Sequence, residues 1–103
     1  MPPEVYEEVK REMGIPICHG YGMTECPMIA MGGPGDDDDQ LANTVGKPVV
    51  GLELRIVTED GSVATAGADG EVRVKGPMVF AGYTSEAATA EAIDADGWFR
   101  TGD

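Results

Sequence analysis

A glycine-tyrosine-glycine segment, followed closely by a hydroxyl and a carboxylate, is the part of this sequence best suited to chemistry. Gly20 and Gly22 let the backbone approach a flat ligand and permit positive φ angles, and Tyr21 offers an aromatic face. Thr24 supplies a hydroxyl group, and Glu25 supplies an anionic oxygen ligand. In this order the side chains suit the ring, the phosphate and the metal ion of a nucleotide.

The composition limits the kinds of function that are possible. The chain has 103 residues and a net charge of −12 at pH 7, from 19 acidic and 7 basic side chains. This charge repels nucleic acids and anionic membranes over most of the surface, so we expect no nucleic-acid partner. A nucleotide would have to be held by local backbone donors and a cation. Because a chain this short is marginal for an α/β enzyme core, we expect a piece of a larger protein.

The two cysteines, Cys18 and Cys26, fit neither the spacing of a zinc site nor a disulfide framework. We therefore expect two reduced thiols in a cytoplasmic protein. The opening Met-Pro-Pro-Glu does not resemble a signal peptide, and no apolar run approaches transmembrane length.

The elements expected to position the glycine-rich segment begin with a helix. It starts at Pro2 or Pro3, runs through about Met13 and ends at Gly14. Its apolar side chains share one face, as in a helix that covers a sheet. The apolar residues 15–20 that follow indicate a short, buried parallel strand leading into a ligand-facing loop.

Residues 27–31 form a second apolar run, which we predict to be a strand. The four aspartates at 36–39 raise the alternative of a calcium site, but the ligand alternation and closing glutamate of a calcium-binding loop do not follow. We instead predict a solvated, mobile surface loop, because blocks of like charge repel one another and stay hydrated.

From about residue 45 the sequence becomes typical of β structure. A turn is predicted at 45–48, and polar and apolar residues then alternate over 52–57 and 71–75, as in an antiparallel meander. The alanine-rich residues 86–93 predict a helix capped by Thr84 or Ser85. A final strand is predicted at 98–101.

Four stretches of the chain carry a family resemblance: HGYGMTE at 19–25, VGKP at 45–48, GEVRVKGPMVFAGY at 70–83 and DGWFRTGD at 96–103. They resemble, in the same order, motifs of the adenylate-forming (ANL) superfamily of AMP-binding enzymes. This superfamily includes acyl-CoA synthetases, aryl-CoA ligases, firefly luciferase and the adenylation domains of peptide synthetases. Four motifs in register are far more specific than one. The methionine of the first stretch and the phenylalanine of the last favour the acyl-CoA synthetases, or fatty-acid–CoA ligases.

The resemblance implies a mixed α/β chain that is rich in β structure. Residues 1–44 would be the end of the large N-terminal α/β subdomain, including a helix, a strand and the adenylate-binding loop. Residues 45–103 would be part of the family's distorted antiparallel β-barrel, with one short helix and the TGD motif at the end. Isolated strands of this kind expose edges and apolar surface, so we expect the chain to self-associate.

The resemblance also implies which residues bind the nucleotide base and the acyl group. Tyr21 would stack on adenine, and the backbone around Gly20 and Gly22 would lie against the base and the acyl group. Met23 would also contact the cofactor, ATP or AMP. His19 would line the acyl pocket together with Met23, but a histidine beside glycines is as often a satisfied structural residue, and both interpretations stay open.

The phosphate, metal and ribose contacts that the resemblance implies fall on three further residues. Thr24 would hydrogen-bond the α-phosphate, Glu25 would bind Mg²⁺, and Asp103 would accept hydrogen bonds from the ribose hydroxyls. Taken singly, Thr24 and Glu25 would more often begin a helix, and Asp103 would more often be a frayed terminus. Their joint occurrence favours the catalytic interpretation of Thr24 and Glu25.

The implied reaction has two steps, in which a carboxylic acid attacks ATP to give acyl-AMP and the acyl group then passes to CoA. The chain lacks a phosphate loop with its lysine and a C-terminal domain with a catalytic lysine. We therefore expect a fragment of an acyl-CoA synthetase that is inactive alone. The alternatives are an aryl-acid or luciferase-like adenylating enzyme, and a non-catalytic β-rich binding module derived from the family.

Overall fold

All residues from 1 to 103 are described by the computed structural model, which contains helices and strands in two small sheets. Their order is α1 (Pro3–Met13), β1 (Gly20–Met23), β2 (Cys26–Met31), α2 (Asp38–Asn43), β3 (Lys47–Pro48), β4 (Glu53–Val57), β5 (Glu71–Lys75), α3 (Glu86–Ala92) and β6 (Phe99–Arg100). One sheet has the order β1-β2-β3 and the other β4-β5-β6. This mixed α/β arrangement confirms the predicted fold class, although no closed barrel forms. No helix has the length and apolar character needed to cross a membrane.

The chain divides into two compact units. The first consists of Met1–Met23 and Met28–Val49, and the second of Thr24–Pro27 and Val50–Asp103. The glycine-rich β1 therefore belongs to the first unit, whereas the turn that follows it belongs to the second.

The helix α1 confirms the local signals of the sequence. Pro3 occupies its first turn, and Gly14 ends it in the left-handed conformation, with φ 71° and its N–H donating to the Lys10 carbonyl at 2.8 Å. Only Tyr6 of the apolar face is fully buried, and it forms a small core with Leu41 and Ala42.

The predicted parallel strand over 15–20 is wrong. No strand forms before Gly20, and β1 instead runs through the motif itself. The only residues between β1 and β2 are Thr24 and Glu25, and a connection this short joins antiparallel strands only. Pro16 has no N–H to donate to a ladder, and the neighbouring Ile15 side chain is exposed, so the apolar run does not form a buried strand.

The predicted loop at 36–39 is wrong in its secondary structure, because Asp37 to Asp39 form the start of α2, although these three side chains are exposed to solvent as predicted. Asp37 is the N-cap, its carboxylate accepting from the Gln40 N–H at 2.8 Å while the Gln40 side chain accepts from the Asp37 N–H at 3.1 Å. Asp38 accepts a hydrogen bond of 2.9 Å from the hydroxyl of the buried Tyr6. The helix terminus, rather than water alone, therefore stabilises these charges.

The predicted turn at 45–48 contains β3, which pairs antiparallel with β2 through Ala30↔Pro48 and Met31↔Lys47. Gly46 enters this strand with φ 93°. A Cβ atom there would lie 2.0 Å from the Met31 carbonyl carbon, so only glycine fits where the two strands approach.

The second sheet confirms the predicted meander. The strands β4 and β5 pair antiparallel from Glu53↔Lys75 to Val57↔Glu71, and β6 pairs with the other edge of β5. Five side chains of the second unit are buried: Cys26, Leu52, Val57, Val74 and Phe99. The helix α3 begins as predicted, with the Ser85 hydroxyl accepting from the Ala88 N–H at 3.2 Å.

Candidate active site

The turn between β1 and β2 presents a hydroxyl and a carboxylate in succession. Thr24 is exposed and Glu25 is half-buried. The Glu25 carbonyl accepts a 2.7 Å hydrogen bond from the Phe80 N–H. Its carboxylate oxygen Oε1 accepts a second hydrogen bond, 2.8 Å long, from the Tyr83 hydroxyl. Glu25 is therefore held at both its backbone and its side chain by the segment that follows β5.

Tyr83 is itself fixed by its neighbours in the second unit. Its ring packs edge-on against Phe80 with centroids 4.7 Å apart, and Phe80 packs edge-on against Phe99 at 5.5 Å. The Tyr83 N–H donates to Thr89 Oγ1 of α3 at 2.8 Å. The contacts thus run from the buried Phe99 through Phe80 and Tyr83 to the Glu25 carboxylate.

The hydrogen bond to Glu25 also fixes the protonation state of Tyr83. It raises the pKa of the Tyr83 hydroxyl above the ordinary value of 10.0, because the hydrogen bond favours the protonated phenol, and burial and the negative charge add to the effect. The hydroxyl therefore remains a hydrogen-bond donor at neutral pH.

The donor set at the turn fits a metal ion that arrives with a nucleotide. No group of three or more His, Cys, Asp or Glu side chains gathers anywhere in the chain to hold a metal ion. A magnesium ion at Glu25 would take its remaining ligands from phosphate oxygens and water, as is usual for Mg²⁺ at nucleotide sites.

Asp103 lies in a tail that extends β6 along β5. The Val72 N–H donates to the Asp103 carbonyl at 3.0 Å, and the Thr101 hydroxyl donates to the Val72 carbonyl at 2.7 Å. The Gly102 N–H donates to Glu71 Oε2 at 3.1 Å. These bonds hold the TGD segment against the sheet rather than as a frayed end. Asp103 lines an open cleft of about 620 Å³ together with residues of β4, β5 and the loops beside them.

The remaining candidate residues lie in the first unit. Gly20, Tyr21, Gly22 and Met23 form β1, and His19 precedes it. A Cβ atom on Gly20 would lie 2.9 Å from the Ala30 carbonyl oxygen, so the approach of β2 already requires glycine there. The ligand contacts predicted for these residues stay predictions.

His19 has clear structural contacts. Its ring Nε2 lies 3.2 Å from the Leu41 carbonyl, to which it can donate, and its own carbonyl accepts from the Gly32 N–H at 3.0 Å. These contacts correspond to the structural interpretation that the sequence left open. A part for His19 in the acyl pocket remains a prediction.

The structure joins Glu25 to Tyr83, a residue that the sequence reasoning did not select. The cleft beside Tyr83 and the cleft beside Asp103 share no lining residue. The signal for Tyr83 was present, because it ends the GEVRVKGPMVFAGY stretch that carries part of the family resemblance.

Comparison with known proteins places these features in a family. A family model described as "AMP-binding enzyme" matches residues 1–84. The whole chain is 39% identical to an indoleacetate–CoA ligase from Aromatoleum aromaticum, and covers 20% of that protein. It is 38% identical to the peroxisomal long chain acyl-CoA synthetase 6 of Arabidopsis thaliana, and covers 15% of it.

A solved structure with the same fold contains ATP. The crystal structure of ATP-bound MatB from Rhodopseudomonas palustris matches 99% of this chain with a TM-score of 0.88 and 31% sequence identity. The matched region is 20% of the MatB chain. The 103 residues therefore span about a fifth or less of the length of each of these three proteins.

Proposed function

This chain belongs to the AMP-binding enzyme family, and we propose that the whole protein is an ATP-dependent carboxylic acid–CoA ligase of the acyl-CoA synthetase type. It activates the acid as acyl-AMP with release of pyrophosphate, and then transfers the acyl group to the thiol of CoA. The observation that carries the proposal is the Glu25 carboxylate, held at the β1–β2 turn by the Tyr83 hydroxyl and the Phe80 N–H.

Four residues have separate roles in this proposal. Tyr21 stacks on the adenine ring, and Asp103 accepts hydrogen bonds from the ribose hydroxyls. Thr24 donates its hydroxyl to the α-phosphate and steadies the charge that develops as the acid attacks phosphorus. Glu25 binds Mg²⁺, and the bound ion neutralises negative charge on the phosphates.

We propose a fatty acid as the substrate and the cytoplasm as the location. The fatty acid is supported by the methionine and phenylalanine of the motifs and by the identity with a long chain acyl-CoA synthetase. The second candidate is an aryl acid, favoured by the 39% identity with an indoleacetate–CoA ligase. The cytoplasmic location is supported by Cys18 and Cys26, which form no disulfide.

The test is a substrate panel applied to the whole protein. ATP, Mg²⁺ and CoA are supplied with fatty acids of increasing length or with aryl acids such as indoleacetate, and AMP and thioester are measured. We expect AMP and thioester in equal amounts, both dependent on a fatty acid. A preference for aryl acids would select the second candidate, and an absence of acid-dependent AMP would overturn the proposal.

A further inference from the structure

We propose that Tyr83 is a positioning residue for Glu25, holding the carboxylate in the orientation in which it binds the metal ion of the nucleotide. This inference rests on the proposed function, since it concerns the same site. It assigns a role to Tyr83, which the sequence marks only as the last residue of the GEVRVKGPMVFAGY stretch.

The geometry at Glu25 supports a positioning role. The Tyr83 hydroxyl donates to Oε1 at 2.8 Å, and the Phe80 N–H donates to the Glu25 carbonyl at 2.7 Å. With both ends of the residue held, the rotations of the side chain between them are restricted. A carboxylate has about four positions that accept hydrogen bonds, and the Tyr83 hydroxyl occupies one of them, on Oε1. The other oxygen, Oε2, takes no part in this bond.

Tyr83 is suited to this task because its own position is determined by packing. Thr89 Oγ1 accepts its N–H at 2.8 Å, and Phe80 lies edge-on to its ring. Gly82, directly before it, has φ 152°, and a Cβ atom at Gly82 would lie 2.8 Å from Thr89 Cγ2. The close approach of α3 to this segment therefore fixes the backbone that carries the hydroxyl.

The chemistry of the pair is that of a metal ligand supported by an outer hydrogen-bond donor. Such donors orient ligating carboxylates, and their removal typically weakens metal binding or activity by about 10- to 100-fold.

The first test compares Tyr83→Phe with wild type in the whole protein. The probe is Mn²⁺ together with a non-hydrolysable ATP analogue, and bound Mn²⁺ is measured by electron paramagnetic resonance. We expect the variant to bind the metal about 10-fold more weakly, since phenylalanine keeps the ring contact but removes the donor. Unchanged Mn²⁺ affinity would overturn the inference.

Tyr6→Phe is the matched control, because it also removes a hydroxyl that donates to a carboxylate, that of Asp38 at 2.9 Å. It should leave Mn²⁺ binding unchanged. Equal weakening by both variants would show a general effect of lost stability and would contradict the role of Tyr83.

The second test is a double-mutant cycle with Glu25→Ala, which removes both the metal ligand and the acceptor of the Tyr83 hydroxyl. If Tyr83 acts through the Glu25 carboxylate, Tyr83→Phe should change Mn²⁺ affinity by less than about twofold in the Glu25→Ala background. Effects that multiply independently would show that Tyr83 does not act through Glu25, and would overturn the inference.

The metal-binding measurement separates this inference from the proposed function, because it requires no turnover. Normal ligase activity with unaltered metal binding in Tyr83→Phe would overturn the inference alone, whereas loss of the proposed function would appear as no acid-dependent AMP in wild type.

Discussion

Hydroxyl groups of tyrosine and serine side chains orient several of the acidic side chains. The Tyr6 hydroxyl donates to Asp38, the Tyr83 hydroxyl donates to Glu25, and the Ser62 hydroxyl donates to Asp60. At Asp60 such bonds favour the charged carboxylate, because an ionised carboxylate can only accept. In a chain with a net charge of −12, such bonds stabilise carboxylates such as that of Asp60, which forms no ion pair with a Lys or Arg side chain.

The hydrogen bonds to Asp60 predict how the stability of the fold changes with pH. Hydrogen bonds from Ser62 and then from Thr58 lower the pKa of its carboxyl from 3.8 to about 2. Because the pKa is depressed in the folded state, the stabilisation is complete above pH 3.8 and is lost as the pH falls toward 2. Asp60→Asn should therefore show a shallower loss of stability than wild type over this range.

The measurement is the denaturant midpoint of unfolding at several pH values between 5 and 2, roughly the range over which a depressed Asp carboxyl titrates. Glu59→Gln is the control, since the Glu59 side chain is exposed in the same turn and should leave the wild-type slope unchanged. Identical slopes for wild type and Asp60→Asn would contradict the role of Asp60.

The chemistry of Thr24 and Glu25 could be predicted from residue types and order, because both groups are adjacent in the sequence. The partner of Glu25 could not, since Tyr83 lies 58 residues away along the chain and only the fold brings its hydroxyl to Oε1. The contact of His19 with Leu41 could not be predicted for the same reason, since the two residues are 22 positions apart in the sequence.

The pairing of β2 with β3 depends on a single glycine, Gly46. A Cβ atom on Gly46 would lie 2.0 to 2.2 Å from backbone atoms of Met31 and Gly32, at a φ of 93°. We expect Gly46→Ala to reduce the free energy of unfolding by more than about 2 kcal/mol, since backbone strain and a clash with backbone combine.

Gly61→Ala is the matched control for Gly46→Ala. Gly61 has a similar φ of 85°, but a Cβ atom there would meet nothing within 4 Å. It should cost only the strain of the left-handed conformation, about 1 kcal/mol. Chemical denaturation of both variants measures the difference, and equal losses would show that the approach of β2 and β3 contributes nothing.

The capping box at the start of α2 predicts that two neighbouring aspartates contribute differently to stability. Asp37 forms the capping box with Gln40, whereas Asp39 contacts only Asn43 on the exposed surface, at 2.8 Å. Asp37→Ala should cost about 1 kcal/mol of stability. Asp39→Ala should stay within about 0.5 kcal/mol of wild type, and thermal unfolding distinguishes the two. Equal effects would mean that only the total charge of the aspartates matters.

Elements with local signals were predictable, and elements that depend on distant partners were not. Pro3 and Gly14 mark both ends of α1 within its own sequence. The capping box of Asp37 and Gln40 is also a local signal, an acid followed three residues later by glutamine, which the prediction of a loop for the aspartate run missed. Residues 15–19 are apolar yet form no strand, because strand formation depends on a neighbour with a compatible ladder.

The small number of unpaired basic side chains predicts how the isolated chain behaves toward ATP. Five of its seven Lys and Arg side chains already form ion pairs with nearby carboxylates. The chain therefore has few cationic groups available to neutralise a triphosphate. We expect the isolated 103-residue chain to show no acid-dependent exchange of pyrophosphate into ATP, measured with labelled pyrophosphate. Measurable exchange would contradict this expectation.

The family of the whole chain was predictable because its four motifs are contiguous stretches in a fixed order. The family model and the fold of ATP-bound MatB confirm that prediction. Chain length and acyl class of the substrate were not predictable, since relatives of similar identity include an indoleacetate and a long-chain acyl ligase. Self-association also remains a prediction, consistent with exposed apolar side chains such as Val50.

The most direct test of Glu25 as the metal ligand of a nucleotide site is carboxylate-dependent pyrophosphate exchange by the whole protein. Glu25→Gln keeps an oxygen for the Tyr83 hydroxyl but removes the charge, so exchange should fall by about 100-fold or more. Glu8→Gln, on the exposed face of α1, should exchange as wild type does. Wild-type exchange by Glu25→Gln, at wild-type Mg²⁺ dependence, would contradict the assignment of this turn to the active site.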